Sequence, residues 1–474
     1  MEYHLADLFE HAVDNFGERD FVVCDGKRRT YAQMEERANR LAHHLQAAGV
    51  KPGDHVGIYA LNSVEWVEIM WAVFKIRAVW VNINFRYVEE ELKYLFTNAD
   101  LVALIHQPQF TDRVAGVLPD LPNLKHVLVI GDEYEAALAA QSPERDFGPR
   151  SGDDHYILYT GGTTGMPKGV VWRQEDVFFA LGGGLDLPTG NRVSSPTGMV
   201  ERGLANGPIT MLPIAPLMHG ATQWGLMQGA FIGNKLVLVP EFKPAEVWRL
   251  VGEEQVNAVM ITGDAMGRPL VEELDNPNAN YDLSSLIALS STAAVFSPSV
   301  KDEFFKRLPN LIMTDSVGSS EGGANGLTYV TKDTTAMKGG PTVKPNEDTA
   351  VFDDEGNRVQ PGSGVIGKIA RSGHVPIGYY KDPEKTAETF IQLEGRRWSV
   401  PGDFAQVEAD GTITLLGRGS VSINSGGEKI HPEEVEAAVK SHPDVWDAVV
   451  VGVPDERWGQ RVAAVIQARE GAEP

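Results

Sequence analysis

The run Tyr159-Thr160-Gly161-Gly162-Thr163-Thr164-Gly165-Met166-Pro167-Lys168-Gly169 gathers in one short stretch the residue types that hold phosphate. Gly161, Gly162 and Gly165 free backbone amides to curl round an anion. Thr160, Thr163 and Thr164 add hydroxyl donors, and Lys168 supplies a positive charge. Apolar residues 156–159 lead in as a strand, and residues 169–172 lead out as another. This is not a Walker A loop. Pro167 precedes the lysine, no Ser or Thr follows it, and a strand stands where a helix dipole would face the phosphates.

Two other matches compete for attention. Gly362-Ser363-Gly364-Val365-Ile366-Gly367 satisfies G-x-G-x-x-G, but it follows a Gln-Pro turn and opens onto a β-like segment, so it reads as a turn. Gly318-Ser319-Ser320-Glu321-Gly322 fits G-x-S-x-G, with Asp403 and His431 downstream in the order of a hydrolase triad. A nucleophile elbow needs a helix directly after its serine, and Gly322-Gly323-Ala324-Asn325-Gly326 starts one poorly. A serine esterase using Ser320 is therefore the alternative from a different class.

These residues need a scaffold, and the chain has room for one. Its 474 residues, 42% hydrophobic, allow two to four folding units at about 100–200 residues each. Disorder and small disulfide scaffolds are excluded. A net charge of −23 repels polyphosphate backbones, which argues against nucleic-acid binding and requires a local donor cluster for any anionic ligand. Cys24 stands alone, so there is neither an internal disulfide nor a thiolate zinc site. Neither a signal peptide nor an apolar run long enough to span a membrane is visible, and a soluble cytoplasmic protein is expected. Oligomeric state stays open, a homodimer included.

Strand-like and helix-like patterns alternate over residues 30–84, where Thr30 and Gln33 are spaced as a capping box, and again over residues 235–315. The expected fold class is α/β: a large multi-subdomain N-terminal body with parallel sheets flanked by helices. Residues 186–207 read as a surface excursion. A β-rich, barrel-like subdomain is expected at about 324–417, and a small α+β domain from 421 in which Pro432 opens a helix. That last unit looks truncated.

Taken in order and spacing, residues 159–169, 213–221, 315–321, 401–404 and 417–436 resemble the successive core motifs of the adenylate-forming enzymes. Gly417-Arg418-Gly419-Ser420-Val421 and the stretch from Ser425 to Glu436 are most similar to bacterial fatty-acyl and steroid-side-chain CoA ligases. The resemblance implies a two-step reaction. A carboxylate attacks the α-phosphate of ATP to give acyl-adenylate and pyrophosphate, and coenzyme A then displaces AMP. It also implies domains at 1–417 and 421–474, joined by a hinge at 418–420.

By the same resemblance Thr160, Gly161, Gly162, Thr163, Thr164, Gly165 and Lys168 would grip the phosphates, and Glu321 with Thr164 would hold magnesium. Thr292, Ala293 and Ala294 would line the adenine with Asp315 near its amino group, Ser316, Val317, Gly318 and Ser320 would belong to the ATP site, Asp403 would hold the ribose, and Arg418 would reach the ribose and α-phosphate. His219 would gate the passages for acid and thiol, and Ala221, Trp224, Gly225, Met260, Gly263 and Gly267 would line the acid's tail. Ser420 would be the pivot, and Gly426, Gly427 and Lys429 would form the coenzyme A tunnel. Lys168, Glu321, Arg418 and His219 are the implied catalytic set.

The pattern has departures. Ser291-Thr292-Ala293-Ala294 replaces a usual Gly-Ala-Pro, Val317 replaces a tyrosine that would stack on the base, and Ser420 replaces a charged pivot. The family's C-terminal adenylation lysine has no counterpart, since too few residues follow Arg418. A truncated chain that adenylates poorly is therefore expected, because losing one transition-state donor costs on the order of 3–4 kcal/mol. A noncatalytic adenylate binder is a further alternative.

Overall fold

The computed structural model describes residues 1–162, 165–186, 190–278, 280–332, 342–418, 423–425, 428–430, 432–442, 444–455, 459–469 and 471–472. The protein is α/β and divides into two compact units. The first comprises Met1–Met260, Asn280–Leu286 and His374–Glu388, and the second Ile261–Ala279, Ile287–Gly373 and Thr389–Pro474.

The first unit holds a seven-stranded sheet. Its parallel part runs His155–Gly162, Val79–Asn82, His55–Tyr59, Leu101–His106, His126–Val129, and an antiparallel part adds Gly165–Arg173 and Gly378–Tyr379. Thr30 and Gln33 form both bonds of a capping box and start the helix Tyr31–Ala47. The helix Val64–Lys75 is buried on every side, which its sequence of Trp, Val, Ile, Met and Phe permits. Phe9 stacks on Trp71 at 4.2 Å between ring centroids, at the centre of the apolar core. A second parallel group joins Asp20–Cys24, Lys235–Leu238, Thr210–Pro213 and Ala258–Ile261, with the hairpin strand Lys27–Thr30 at its edge.

Part of the expected surface excursion is a helix, Gly198–Asn206, with Met199, Val200 and Gly203 buried. Its apolar stripe was hidden because glycine carries the contact: a Cβ at Gly203 would lie 2.1 Å from the Ile232 carbonyl oxygen.

In the second unit the strands Ala288–Thr292 and Ile312–Ser319 pair in parallel, after which every described pairing is antiparallel. The described strands run from Gly323–Val330 through Thr342–Pro345, Ile413–Arg418, Asp403–Val407, Ile366–Ser372 and Arg396–Ser399 to Phe390–Leu393, and Thr349–Phe352 also pairs with Ile366–Ser372. Val343, Val351, Ile369 and Ala405 form their core. A separate four-stranded sheet contains Glu428–Ile430, Ile423–Ser425, Gly459–Ala468 and Val445–Asp455, with the helix Pro432–Lys440 opened by its proline. Among the described residues no helix is long and apolar enough to cross a membrane.

Candidate active site

The phosphate-loop sequence is the tip of a β-hairpin. Its strands His155–Gly162 and Gly165–Arg173 place Thr160 opposite Lys168 and Gly162 opposite Gly165. Thr163 and Thr164 lie outside the described residues. The base of the hairpin is held by Asn82, a buried amide that accepts from Tyr159 N at 2.8 Å and donates to the carbonyls of Tyr159 at 3.0 Å and Met218 at 2.6 Å. One side chain thus ties the hairpin to the segment that delivers His219. Lys168 pairs with Asp382 and sits over the ring of Tyr379. The segment carrying both is zipped to the hairpin through Tyr380 N to the Gly169 carbonyl.

His219 is the N-cap of the helix Gly220–Phe231. Its ring keeps an exposed surface but lies in a crowded neighbourhood, and that desolvation, together with the charge of Arg86, holds its pKa below the ordinary imidazole value. Arg86 forms no ion pair among the described residues. It sits on residues 84–87, a loop pinned from beneath by Tyr59 Oη on the Tyr87 carbonyl at 2.7 Å and by Arg113 on the carbonyls of Phe85 and Tyr87. Tyr87 Oη lies 3.9 Å from where a Cβ of Gly161 would be, so this loop flanks the hairpin. Sequence reasoning passed over it. The one available signal was an arginine set among tyrosine and phenylalanine just after a buried strand.

Next along the helix, Ala221 packs on the core, Trp224 is buried, and Gly225 leaves room for the Met260 methyl, 2.8 Å from a built Cβ. In the second unit Gly263 and Gly267 are also filled closely. A Cβ on Gly263 would meet the Val295 carbonyl at 2.4 Å, and one on Gly267 the Phe296 ring at 2.8 Å. Gly263 also adopts φ +57, which favours glycine.

Thr292, Ala293 and Ala294 form a tight turn at the end of the strand Ala288–Thr292, with Ala294 N donating to the Thr292 carbonyl and Ala293 at φ +65. That conformation suits glycine, so alanine bears strain there. Ser316 Oγ donates to the Ser291 carbonyl. Asp315 is buried and bonded to Lys301; burial pushes its carboxyl up, against the pull of that ammonium. Val317 packs inward with Val343 and Ile369, and Gly318 gives the hairpin room against the Gly323 carbonyl.

Ser320 and Glu321 lie in the turn between the strands Ile312–Ser319 and Gly323–Val330. No helix follows Ser320, so the nucleophile elbow that an esterase would need is missing. Asp403 and Arg418 are opposite one another in register on adjacent antiparallel strands. The backbone of Lys429 pairs with Asn424. Ser420, Gly426, Gly427 and His431 lie outside the described residues. Among the described residues no group of three His, Cys, Asp or Glu could cage a metal. A single half-buried carboxylate such as Glu321 suits magnesium, which keeps waters and shares its ligands with substrate phosphates.

The chain belongs to the AMP-binding enzyme family. The family's sequence profile matches residues 9–380, and that of the AMP-binding enzyme C-terminal domain matches residues 434–474. The chain is 55% identical to a 3-oxocholest-4-en-26-oate--CoA ligase of Rhodococcus rhodochrous, over 99% of this chain and 88% of the relative. It is 53% identical to a medium/long-chain-fatty-acid--CoA/3-oxocholest-4-en-26-oate--CoA ligase of Mycolicibacterium smegmatis, over 100% of this chain and 89% of the relative. Its fold is similar to that of the anthranilate CoA ligase AuaEII in complex with anthranoyl-AMP, with a TM-score of 0.85, 23% identity, and coverage of 100% of this chain and 88% of that one.

Proposed function

We propose that the protein is an ATP-dependent acyl-CoA ligase acting on bulky apolar carboxylic acids, steroid-side-chain and medium- to long-chain fatty acids. The observation that carries this reading is identity above one half along essentially the whole chain to relatives named for those acids. The phosphate-loop hairpin lies within the matched residues.

In the first step a carboxylate oxygen of the acid attacks the α-phosphorus of ATP, and the bond to the β-phosphate oxygen breaks to release pyrophosphate. In the second the sulfur of coenzyme A attacks the acyl carbon, the thiol proton is lost, and AMP leaves. Nucleophiles and leaving groups all belong to substrates, so the protein's work is positioning and charge neutralisation. Thr160, Lys168 and the amides of Gly161, Gly162 and Gly165 would bind the β- and γ-phosphates. Magnesium, when bound, would neutralise the triphosphate, with Glu321 and Thr164 as its protein ligands. Asp403 would accept from the ribose hydroxyls. His219, held neutral, would shape the passage to the acyl carbon without adding charge. Residues 1–417 form the adenylating body in this reading, with the pivot at Ser420 and the coenzyme A tunnel in residues 421–474. A cytoplasmic setting belongs to the same reading, since the single cysteine, Cys24, is buried and has no second cysteine for an internal disulfide.

The test is incubation with 3-oxocholest-4-en-26-oate or a long-chain fatty acid, ATP, magnesium and coenzyme A, with acyl-CoA and AMP followed by mass spectrometry. Stoichiometric appearance of both is expected. Ester cleavage independent of ATP, or nucleotide binding without AMP release, would overturn the reading.

A further inference from the structure

The turn that carries Glu321 is gripped from a single register position of the β-rich sheet. Arg371 and Ser399 are directly opposed on the strands Ile366–Ser372 and Arg396–Ser399, and both side chains are buried. The Ser399 hydroxyl donates to the backbone carbonyl of Glu321 at 2.6 Å. A Cβ built on Gly322, the next residue, would lie 3.4 Å from Arg371 Cβ, so the arginine's stem closes the turn from a second side. Beyond the turn, Thr349 Oγ1 donates to the Asn325 carbonyl at 2.9 Å and accepts from Arg371 Nη1 at 3.2 Å. Arg371 is itself fixed by Asn346 and faces Asp348 at 3.8 Å.

Left to itself this turn would be loose, because Gly322 and Gly323 follow Glu321 directly and Gly323 adopts φ +75. Magnesium demands near-ideal octahedral geometry, so a wandering carboxylate is a poor ligand. A bond to the carbonyl of Glu321 itself fixes the direction in which its side chain leaves the backbone. We propose that Ser399, backed by Arg371 and Thr349, is a positioning residue that presents the Glu321 carboxylate to the metal–triphosphate. The proposal rests on the reading of Glu321 as a magnesium ligand.

The test is Mn²⁺ titration of the full chain with a non-hydrolysable ATP analogue, the free ion being followed by electron paramagnetic resonance. Ser399→Ala, Thr349→Val and Glu321→Gln are compared with the parent. Ser399→Ala is expected to weaken Mn²⁺ by about three- to tenfold, as loss of one buried hydrogen bond allows, and Thr349→Val by less. Affinity for an acyl-adenylate analogue without metal stays unchanged in both, and excess Mn²⁺ restores turnover. Thr349→Val, which keeps the side chain's shape, serves as the second variant should Ser399→Ala fail to fold. A parent-like Mn²⁺ affinity in Ser399→Ala beside a weakened one in Glu321→Gln overturns the positioning role. Unchanged Mn²⁺ binding in Glu321→Gln overturns the assignment of Glu321 itself. Loss of adenylate binding together with Mn²⁺ would mark Ser399 as a general structural residue and also sink the proposal.

Discussion

Lys168 Nζ lies 2.5 Å from Asp382 Oδ2, so the lysine expected to meet ATP is held by a carboxylate brought from 214 residues away. Both side chains are partly exposed, 44% and 30%, and the pair contributes no more than about 1 kcal/mol to stability. The hydrogen bond from Lys168 is the main cause of a depressed Asp382 pKa, so the carboxylate is charged at neutral pH and, in the proposed function, would compete with a triphosphate for the same ammonium. Asp382→Asn is expected to shift the Tm by less than about 2 °C and to lower the ATP KM by about two- to fivefold. Lys168→Ala, by contrast, should lower kcat by about 10²–10³. Steady-state kinetics decides between competition and orientation: a higher ATP KM in Asp382→Asn would mean that the aspartate aims the lysine.

His219 and Arg86 offer a second check. Desolvation by the crowded neighbourhood is the larger cause of the lowered His219 pKa, and the Arg86 charge adds to it. Arg86→Met removes only the neighbouring charge, so the His219 pKa should rise toward its ordinary value of about 6.5 without reaching it. Carbon-13 histidine labelling, with His219→Asn to assign the resonance, reads this directly. A pKa that stays put or falls would show that Arg86 does not act on the ring.

The phosphate-loop hairpin was legible because its chemistry is local: glycines, hydroxyls and a lysine lie between two apolar strands, and local patterns survive folding. The helices with caps were legible for the same reason, as Thr30 and Gln33 show. What the sequence withheld depends on long-range contact. Nothing near Asn82 marks it as the residue that joins the hairpin to Met218. Asp382 reads as one more turn aspartate until the strand Gly378–Tyr379 pairs with Gly165–Arg173. Small residues carry contacts that spacing does not show: a Cβ at Gly263 or Gly267 would collide with the segment 294–296. Val317 stands in the sequence where an aromatic would stack on the base, but its side chain faces the β-rich core.

The start of the phosphate-loop strand is tied to the N-terminus by a partly buried charge cluster, and its pH response has a definite sign. Asp154 receives both arms of the Arg77 guanidinium at 2.8 Å and faces His4 Nε2 at 3.4 Å. Burial pushes the Asp154 carboxyl up, but His4 and Arg77 outweigh it and hold the pKa well below the usual carboxylate range. His4 is fully buried; that desolvation is the larger influence on it and lowers its pKa, while its Nδ1 accepts from Ala6 N. The two groups act in different windows. Unfolded His4 takes up a proton below about pH 6.5 that the folded ring refuses, so stability begins to fall there. The Asp154 contribution is complete above its unfolded pKa of about 3.9 and is lost only as pH drops further, toward the folded value. Asp154→Asn should therefore lower stability at pH 7 by about 1–2 kcal/mol, the lower part of the range for charge-assisted bonds because Arg77 is more than a third exposed. Urea denaturation at pH 7, 5 and 3.5 should show the gap between parent and variant holding from 7 to 5 and narrowing at 3.5. A gap of constant size down to pH 3.5 would mean that the carboxylate acts through packing, and that its charge does not stabilise the fold.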